Sequence, residues 1–146
     1  MMKHMKQLTL VLGLCIASLA GFSQSSNAIN GQWLNPEKDG KVEIYESSGK
    51  YYGKLVWMKD PYEADGKTPR KDTKNKDAKL RERSIMNLVI LTGFKFEKGK
   101  WVDGEVYDPK SGKTYSSIMT LKGDKLELRG YIGTPLLGRT AIFTRP

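Results

Sequence analysis

The sequence predicts an all-β domain, a small antiparallel up-and-down barrel of about eight strands carrying one long loop and a short helix. Two observations and one physical argument carry that expectation. Apolar and polar residues alternate with the two-residue period of a half-buried strand, as at Val42 and Ile44 against Lys41 and Glu43, and at Leu126 and Leu128 against Glu127 and Arg129. Turn-forming clusters recur at hairpin intervals: Ser47-Ser48-Gly49, Glu97-Lys98-Gly99, Asp108-Pro109-Lys110-Ser111-Gly112 and Lys122-Gly123-Asp124. Closure of such a meander removes the sheet edges that would otherwise promote aggregation.

In chain order, strands are expected near 31–35, 41–47, 50–58, 87–97, 100–107, 113–121, 125–131 and 139–145. One connection breaks the hairpin rhythm. Residues 59–79 hold seven basic and five acidic side chains, with Pro61, Gly66 and Pro69 excluding regular structure, and Ala78 to Ile85 offers at most a short helix. A loop of that length in a compact domain is either a functional flap or a solvated insertion.

Before the first strand the chain changes character. Lys3 and Lys6 precede an uncharged apolar stretch from Leu8 to Ala20, and small residues follow, which is the layout of a secretory signal. Cleavage is expected after Ser23 (residues 1–23), with Ala28 as the alternative, leaving a single domain over 29–146. The apolar stretch falls short of the roughly twenty residues of a membrane span. Leu14 stands where a lipoprotein signal needs a small residue before Cys15. Export to the periplasm or the exterior is therefore expected.

Cleavage also removes the chain's one histidine, His4, and its one cysteine, Cys15. The mature domain then has no Ser-His-Asp or Cys-His mechanism, no imidazole or thiolate for a metal, and no disulfide. No catalytic residue, metal or cofactor is expected. Loss of Lys3 and Lys6 lowers the net charge from +9 to +7. An exported chain meets little nucleic acid, so anionic lipid or glycan of the envelope, or another envelope protein, is the expected partner of that charge. A monomer is the expected state.

A series of short motifs marks the chain: Gly31-Gln32-Trp33, Tyr52-Gly53-Lys54-Leu55-Val56-Trp57, Leu80-Arg81-Glu82-Arg83, Trp101, Gly104, Tyr107-Asp108-Pro109, Gly112-Lys113-Thr114-Tyr115, Arg129-Gly130-Tyr131-Ile132-Gly133, Leu137-Gly138-Arg139-Thr140 and Thr144-Arg145. In order and spacing these resemble the secreted bacterial family catalogued as domain of unknown function 2147, from Gly31 to Arg145. Where that family usually has Asn-Pro, this chain has Asn75-Lys76, and Ser84 and Asn87 stand where proline and glycine are typical. The resemblance implies a lipocalin-like (calycin) barrel. Such barrels pair the tryptophan of a first-strand Gly-x-Trp with a last-strand arginine, here Trp33 with Arg145, or less favourably Arg139, in a cation–π contact that closes one end.

Candidate chemistry is sparse. Asp108 suits a turn role, its carboxylate accepting backbone N–H bonds. Arg129 and Tyr131 share a strand face opposite Leu126 and Leu128. If that face is inward, Arg129 with Tyr115 or Lys54 would grip an anionic headgroup, while Tyr131, Trp57 and other aromatics line the pocket. If the leucines face inward, Arg129 is an external residue. A binding module for a small amphipathic or anionic ligand, or for a partner protein, is the preferred reading. The alternative is a hydrolase using two carboxylates, Glu43 with Asp108 or Glu105, on envelope glycans.

Overall fold

The computed structural model describes residues 24–146, so the signal-like segment lies outside the described residues. Eight antiparallel strands close into one barrel in chain order: β1 (Gly31–Leu34), β2 (Gly40–Ser47), β3 (Lys50–Met58), β4 (Val89–Glu97), β5 (Lys100–Asp108), β6 (Lys113–Lys122), β7 (Lys125–Tyr131) and β8 (Arg139–Thr144). Alternation and turn chemistry thus place every strand to within about two residues. β4 starts later than expected, and Asn87 just before it takes a left-handed φ of 64°. The helix expected after Ala78 shrinks to one 3₁₀ turn, Ala78–Leu80, capped by Asp77. A second 3₁₀ turn, Pro135–Leu137, lies between β7 and β8 and was not foreseen.

The strand faces resolve the ambiguity over Arg129. Leu126 and Leu128 are buried, together with Trp33, Val42, Ile44, Tyr51, Leu91, Phe94, Trp101 and Met119. The cavity left among Trp33, Val42, Ile44, Leu91, Met119, Leu126, Leu128 and Phe143 has a volume of about 10 Å³, room for no more than about one water. The barrel interior is a packed core. It holds no seat for a ligand.

One seam of the barrel is thin. β1 and β8 share a single ladder position, Leu34 opposite Thr144, whereas β1 and β2 share four. Arg145 supplies what the ladder lacks. Its guanidinium lies 3.9 Å from the centroid of the buried Trp33 ring and donates to the carbonyls of Ala28, Asn30 and Gln32 at 3.0–3.2 Å. Gly31 makes this approach feasible: its φ is +107°, and a Cβ there would sit 3.0 Å from the guanidinium nitrogen. Arg145 is therefore the arginine that closes the barrel, while Arg139 begins β8 opposite Gly130 and is exposed.

Residues 24–30 seal the same end. Ile29 is fully buried, and its carbonyl accepts from the Trp33 indole at 2.8 Å. Trp101 donates to the Ser26 carbonyl, and Tyr51 to the Asn27 side chain, both at 3.1 Å. Trp33→Ala is expected to lower the unfolding free energy by about 3–5 kcal/mol and Arg145→Ala by less. A double-mutant cycle in denaturant should show a coupling of about 0.5–2 kcal/mol. Additive losses would mean that the stacked pair contributes nothing jointly.

Candidate functional site

The five residues proposed from sequence to contact a ligand do not converge. Arg129 lies outside the barrel, its Nε donating to the Pro135 carbonyl at 2.7 Å and its other nitrogens to the Thr140 hydroxyl and the Leu136 carbonyl. Tyr131 pairs with Ser116 at the end of β7. Lys54 faces Glu43 across the β2–β3 ladder and rides over the Tyr45 ring at 5.9 Å. Trp57 is partly exposed, with the Lys41 ammonium 4.9 Å from its centroid. Tyr115 pairs with Val106 and packs beside Gly130. A headgroup clamp built from Arg129, Lys54 and Tyr115 is therefore not what the fold assembles, because the buried leucines turn Arg129 outward and β3 is not adjacent to β6 or β7.

The acids are equally dispersed. Asp108 serves its turn: its carboxylate accepts from the Lys110 amide at 3.0 Å and the Ser111 hydroxyl at 2.9 Å. Glu43 lies opposite Gln32 and Lys54 on β2, separated from Asp108 and Glu105 on β5 by two intervening strands. Among the described residues no three His, Cys, Asp or Glu side chains cluster with metal-site geometry.

What the fold does assemble is outside the barrel, under the loop between β3 and β4. That loop is ordered by bridges between Tyr62 and Pro69 and between Lys71 and Ser84, and it is anchored by one carboxylate. Asp72 is completely buried and accepts from Asn75 and from Arg83 Nε, each at 2.9 Å, and from the hydroxyl of Tyr107 on β5. A buried charge is tolerable only when its oxygens are this fully satisfied. Gly112 completes the junction. It has a φ of +72°, and any Cβ there would overlap the Lys74 carbonyl, so the β5–β6 turn can meet the loop only as glycine.

Between the anchored loop and the sheet lies an open groove of about 490 Å³, lined by Asn75, Lys76, Leu80 and Arg83 from the loop and by Val89, Thr92, Glu105, Tyr107, Gly112 and Thr114 below it. Thr92 is the ladder partner of Glu105, and Tyr107 of Thr114, so these four share one face of the sheet. That face is the outer one, opposite the inward Leu91 and Gly104. The volume falls within the range of small-molecule sites. Its wall combines two cations, one carboxylate, several hydroxyls and two aliphatic side chains, which suits a ligand with an anionic group and a short apolar part.

Electrostatics in the anchor follow from this packing. Burial opposes ionisation of Asp72, but the bonds from Tyr107, Asn75 and Arg83 outweigh it and hold the carboxyl below its ordinary pKa. Burial, reinforced by the Asp72 charge, pushes the Tyr107 phenol up to about 12. Nothing in the sequence marks Asp72, Arg83 and Tyr107 as a group, because each looks ordinary alone. Asp72 is one acid among five in a charged run, Arg83 sits in Leu80-Arg81-Glu82-Arg83, and Tyr107 precedes a turn.

Fold and groove together define a small lipocalin-like barrel with a filled interior and an external groove beneath a loop. The chain belongs to the family described as "Uncharacterized protein conserved in bacteria (DUF2147)", whose sequence pattern matches residues 31–145. It is similar to a solved structure titled "Protein HP1028 from the human pathogen Helicobacter pylori belongs to the lipocalin family", with 27% identity and a TM-score of 0.70 over 81% of this chain and 82% of that one. No curated protein sequence matches the chain.

The anchor predicts a pH signature. A phenol whose pKa is raised in the folded state contributes stability that is complete below pH 10 and is lost as pH rises toward 12. Unfolding curves for the wild type should therefore fall over that window more steeply than those for Tyr107→Phe. Asp72 has the opposite sign: its contribution is present above its ordinary value of 3.8 and is lost as pH falls below it. At neutral pH Asp72→Asn should cost about 1–3 kcal/mol, because it leaves the Arg83 and Tyr107 donors poorly satisfied. Identical alkaline profiles for wild type and Tyr107→Phe would contradict the anchor.

Proposed function

We propose that the chain is an exported, non-enzymatic binding module, and that its seat is the groove beneath the long loop, which takes a small amphipathic anion. The observation that carries this reading is the contrast in volume between the interior, about 10 Å³, and the groove, about 490 Å³. Lys76 and Arg83 supply positive charge to the groove, Thr92, Thr114 and Tyr107 supply hydroxyls, and Leu80 and Val89 supply an apolar wall. Arg83 is shared with Asp72. Lys76 is thus the cation whose removal leaves the anchor intact. Membership of a lipocalin-like family is consistent with a ligand-binding role, and no observation favours the carboxylate-pair hydrolase.

Titration calorimetry with short-chain fatty acids, lysophospholipids and lipid A fragments tests the seat. Binding should weaken in Lys76→Ala by about 1.5–3 kcal/mol, the range of a hydrogen bond to a charged group, with unfolding unchanged. Failure of every probe to bind below millimolar concentration would overturn the reading.

Export is part of the same proposal and has its own test. Processing after Ser23 leaves Ser26, Asn27, Ala28 and Ile29 in place to seal the barrel end, whereas processing after Ala28 removes the partners of Trp101 and Tyr51. N-terminal sequencing of protein from the envelope or medium should read from Gln24. An intact Met1 would contradict export by cleavage, and Ile29 would contradict the sealing role of residues 24–28.

A further inference from the structure

The turn between β7 and β8 presents an anomaly of exposure. Ile132, Leu136 and Leu137 are 70%, 88% and 81% exposed, the three highest values among the exposed large hydrophobic side chains of the described residues. They fall within six consecutive positions and project from one end of the barrel. Singly exposed aliphatic side chains are ordinary, but three on one tip form a patch that calls for a partner.

The backbone of the tip is the second, independent observation. Exposed turns usually leave several N–H groups to water, yet from Thr134 to Gly138 every N–H finds a partner within the tip itself. The amides of Thr134, Leu137 and Gly138 donate to the carbonyls of Ile132, Thr134 and Pro135, and the amide of Leu136 donates to the Thr134 hydroxyl. Pro135 has no N–H to satisfy. The guanidinium of Arg129 donates to the carbonyls of Pro135 and Leu136, and to Thr140 Oγ1, so it braces the turn from the neighbouring strands. Paired amides beside exposed aliphatic side chains lower the cost of entering a low-dielectric interfacial layer, since each unpaired group left in hydrocarbon costs several kcal/mol.

Composition and charge identify the medium. The large exposed side chains of the tip, Ile132, Leu136 and Leu137, are aliphatic, without the Trp or Tyr that dominate protein–protein hot spots. Arg139, which starts β8, and Lys113, which starts β6, are exposed on the two strands flanking the end of β7. Residues 24–146 carry a net charge of +7, complementary to an anionic surface. We propose that the β7–β8 turn is a docking finger that seats Ile132, Leu136 and Leu137 in the interfacial layer of an anionic lipid bilayer, with Arg139 and Lys113 against the headgroups. Arg129 is its positioning residue. The chain docks peripherally, and among the described residues no helix is long and apolar enough to cross a membrane. This proposal is independent of the groove and stands or falls without it.

Co-sedimentation with vesicles of phosphatidylglycerol and phosphatidylethanolamine tests it. The wild type should partition onto these vesicles more than onto pure phosphatidylcholine, and less as salt rises. The double variant Leu136→Asp, Leu137→Asp should partition at least about tenfold more weakly with an unchanged circular dichroism spectrum, because both positions are solvent-exposed in the fold. Both proteins carry the same N-terminus, so any contribution from the apolar stretch at residues 8–20 cancels. In a second variant, Leu137→Trp, the added indole emission should shift to the blue when vesicles are present. Absence of wild-type binding, equal partition of the double variant, or a water-like Leu137→Trp emission on vesicles would each overturn the proposal.

Discussion

The barrel depends on one contact between its two ends in sequence. With only one ladder position joining β1 to β8, strand pairing alone would leave a nearly open sheet. Arg145 spans that seam, stacking on Trp33 and binding carbonyls on the segment that leads into β1. The same geometry fixes Gly31, whose left-handed backbone lets the guanidinium approach, and it positions Ile29 as the plug beneath Trp33. A filled core follows from this arrangement: with the end sealed by a plug, and Phe94, Trp101 and Met119 filling the interior, nothing is left to enclose a ligand.

A filled barrel leaves only its outer surface open, and a second constraint of a different kind shapes that surface. The β3–β4 loop has few apolar residues with which to pack, so it is held by a buried carboxylate that collects three side-chain donors from two elements. Replacing such a charge with apolar residues is often neutral for stability, which makes its use here informative about geometry. A greasy contact would let the loop settle in many positions, whereas Asp72 fixes Asn75 and Arg83 directly above Tyr107 and so defines the groove. Arg129 does comparable work at the β7–β8 turn, where a cation organises backbone carbonyls. In both places a charged side chain replaces a missing core.

The strands were legible in the sequence because period-two alternation and glycine-rich turns are local signals, and Trp33 with Arg145 was legible through the family resemblance. The direction of the faces was not. Leu126, Leu128 and Arg129 alternate identically whichever side is inward, and only packing against Trp33 and Met119 decides it. Arg129 was accordingly open to either reading, and in the fold its guanidinium lies outside and braces the β7–β8 turn. The anchor was hidden for another reason. Asp72, Arg83 and Tyr107 are brought together by tertiary packing over as many as 35 positions, and nothing in a charged loop marks one aspartate as the buried one. Asp108, by contrast, sits in Asp-Pro-Lys-Ser-Gly, where turn chemistry is readable from the residues alone, and it does what that chemistry predicts.

Under the proposed function, this lipocalin-like barrel binds on its outside, beneath an anchored loop, with its interior closed to ligand. Nuclear magnetic resonance mapping with decanoate as probe separates inside from outside residue by residue. Binding in the groove should give saturable shifts at the amides of Asn75, Lys76, Thr92, Glu105 and Thr114, with the methyl signals of Val42, Leu91, Met119 and Leu128 unmoved. Saturable shifts centred on those interior methyls, with the groove amides silent, would show that the barrel opens to admit the ligand and would contradict it.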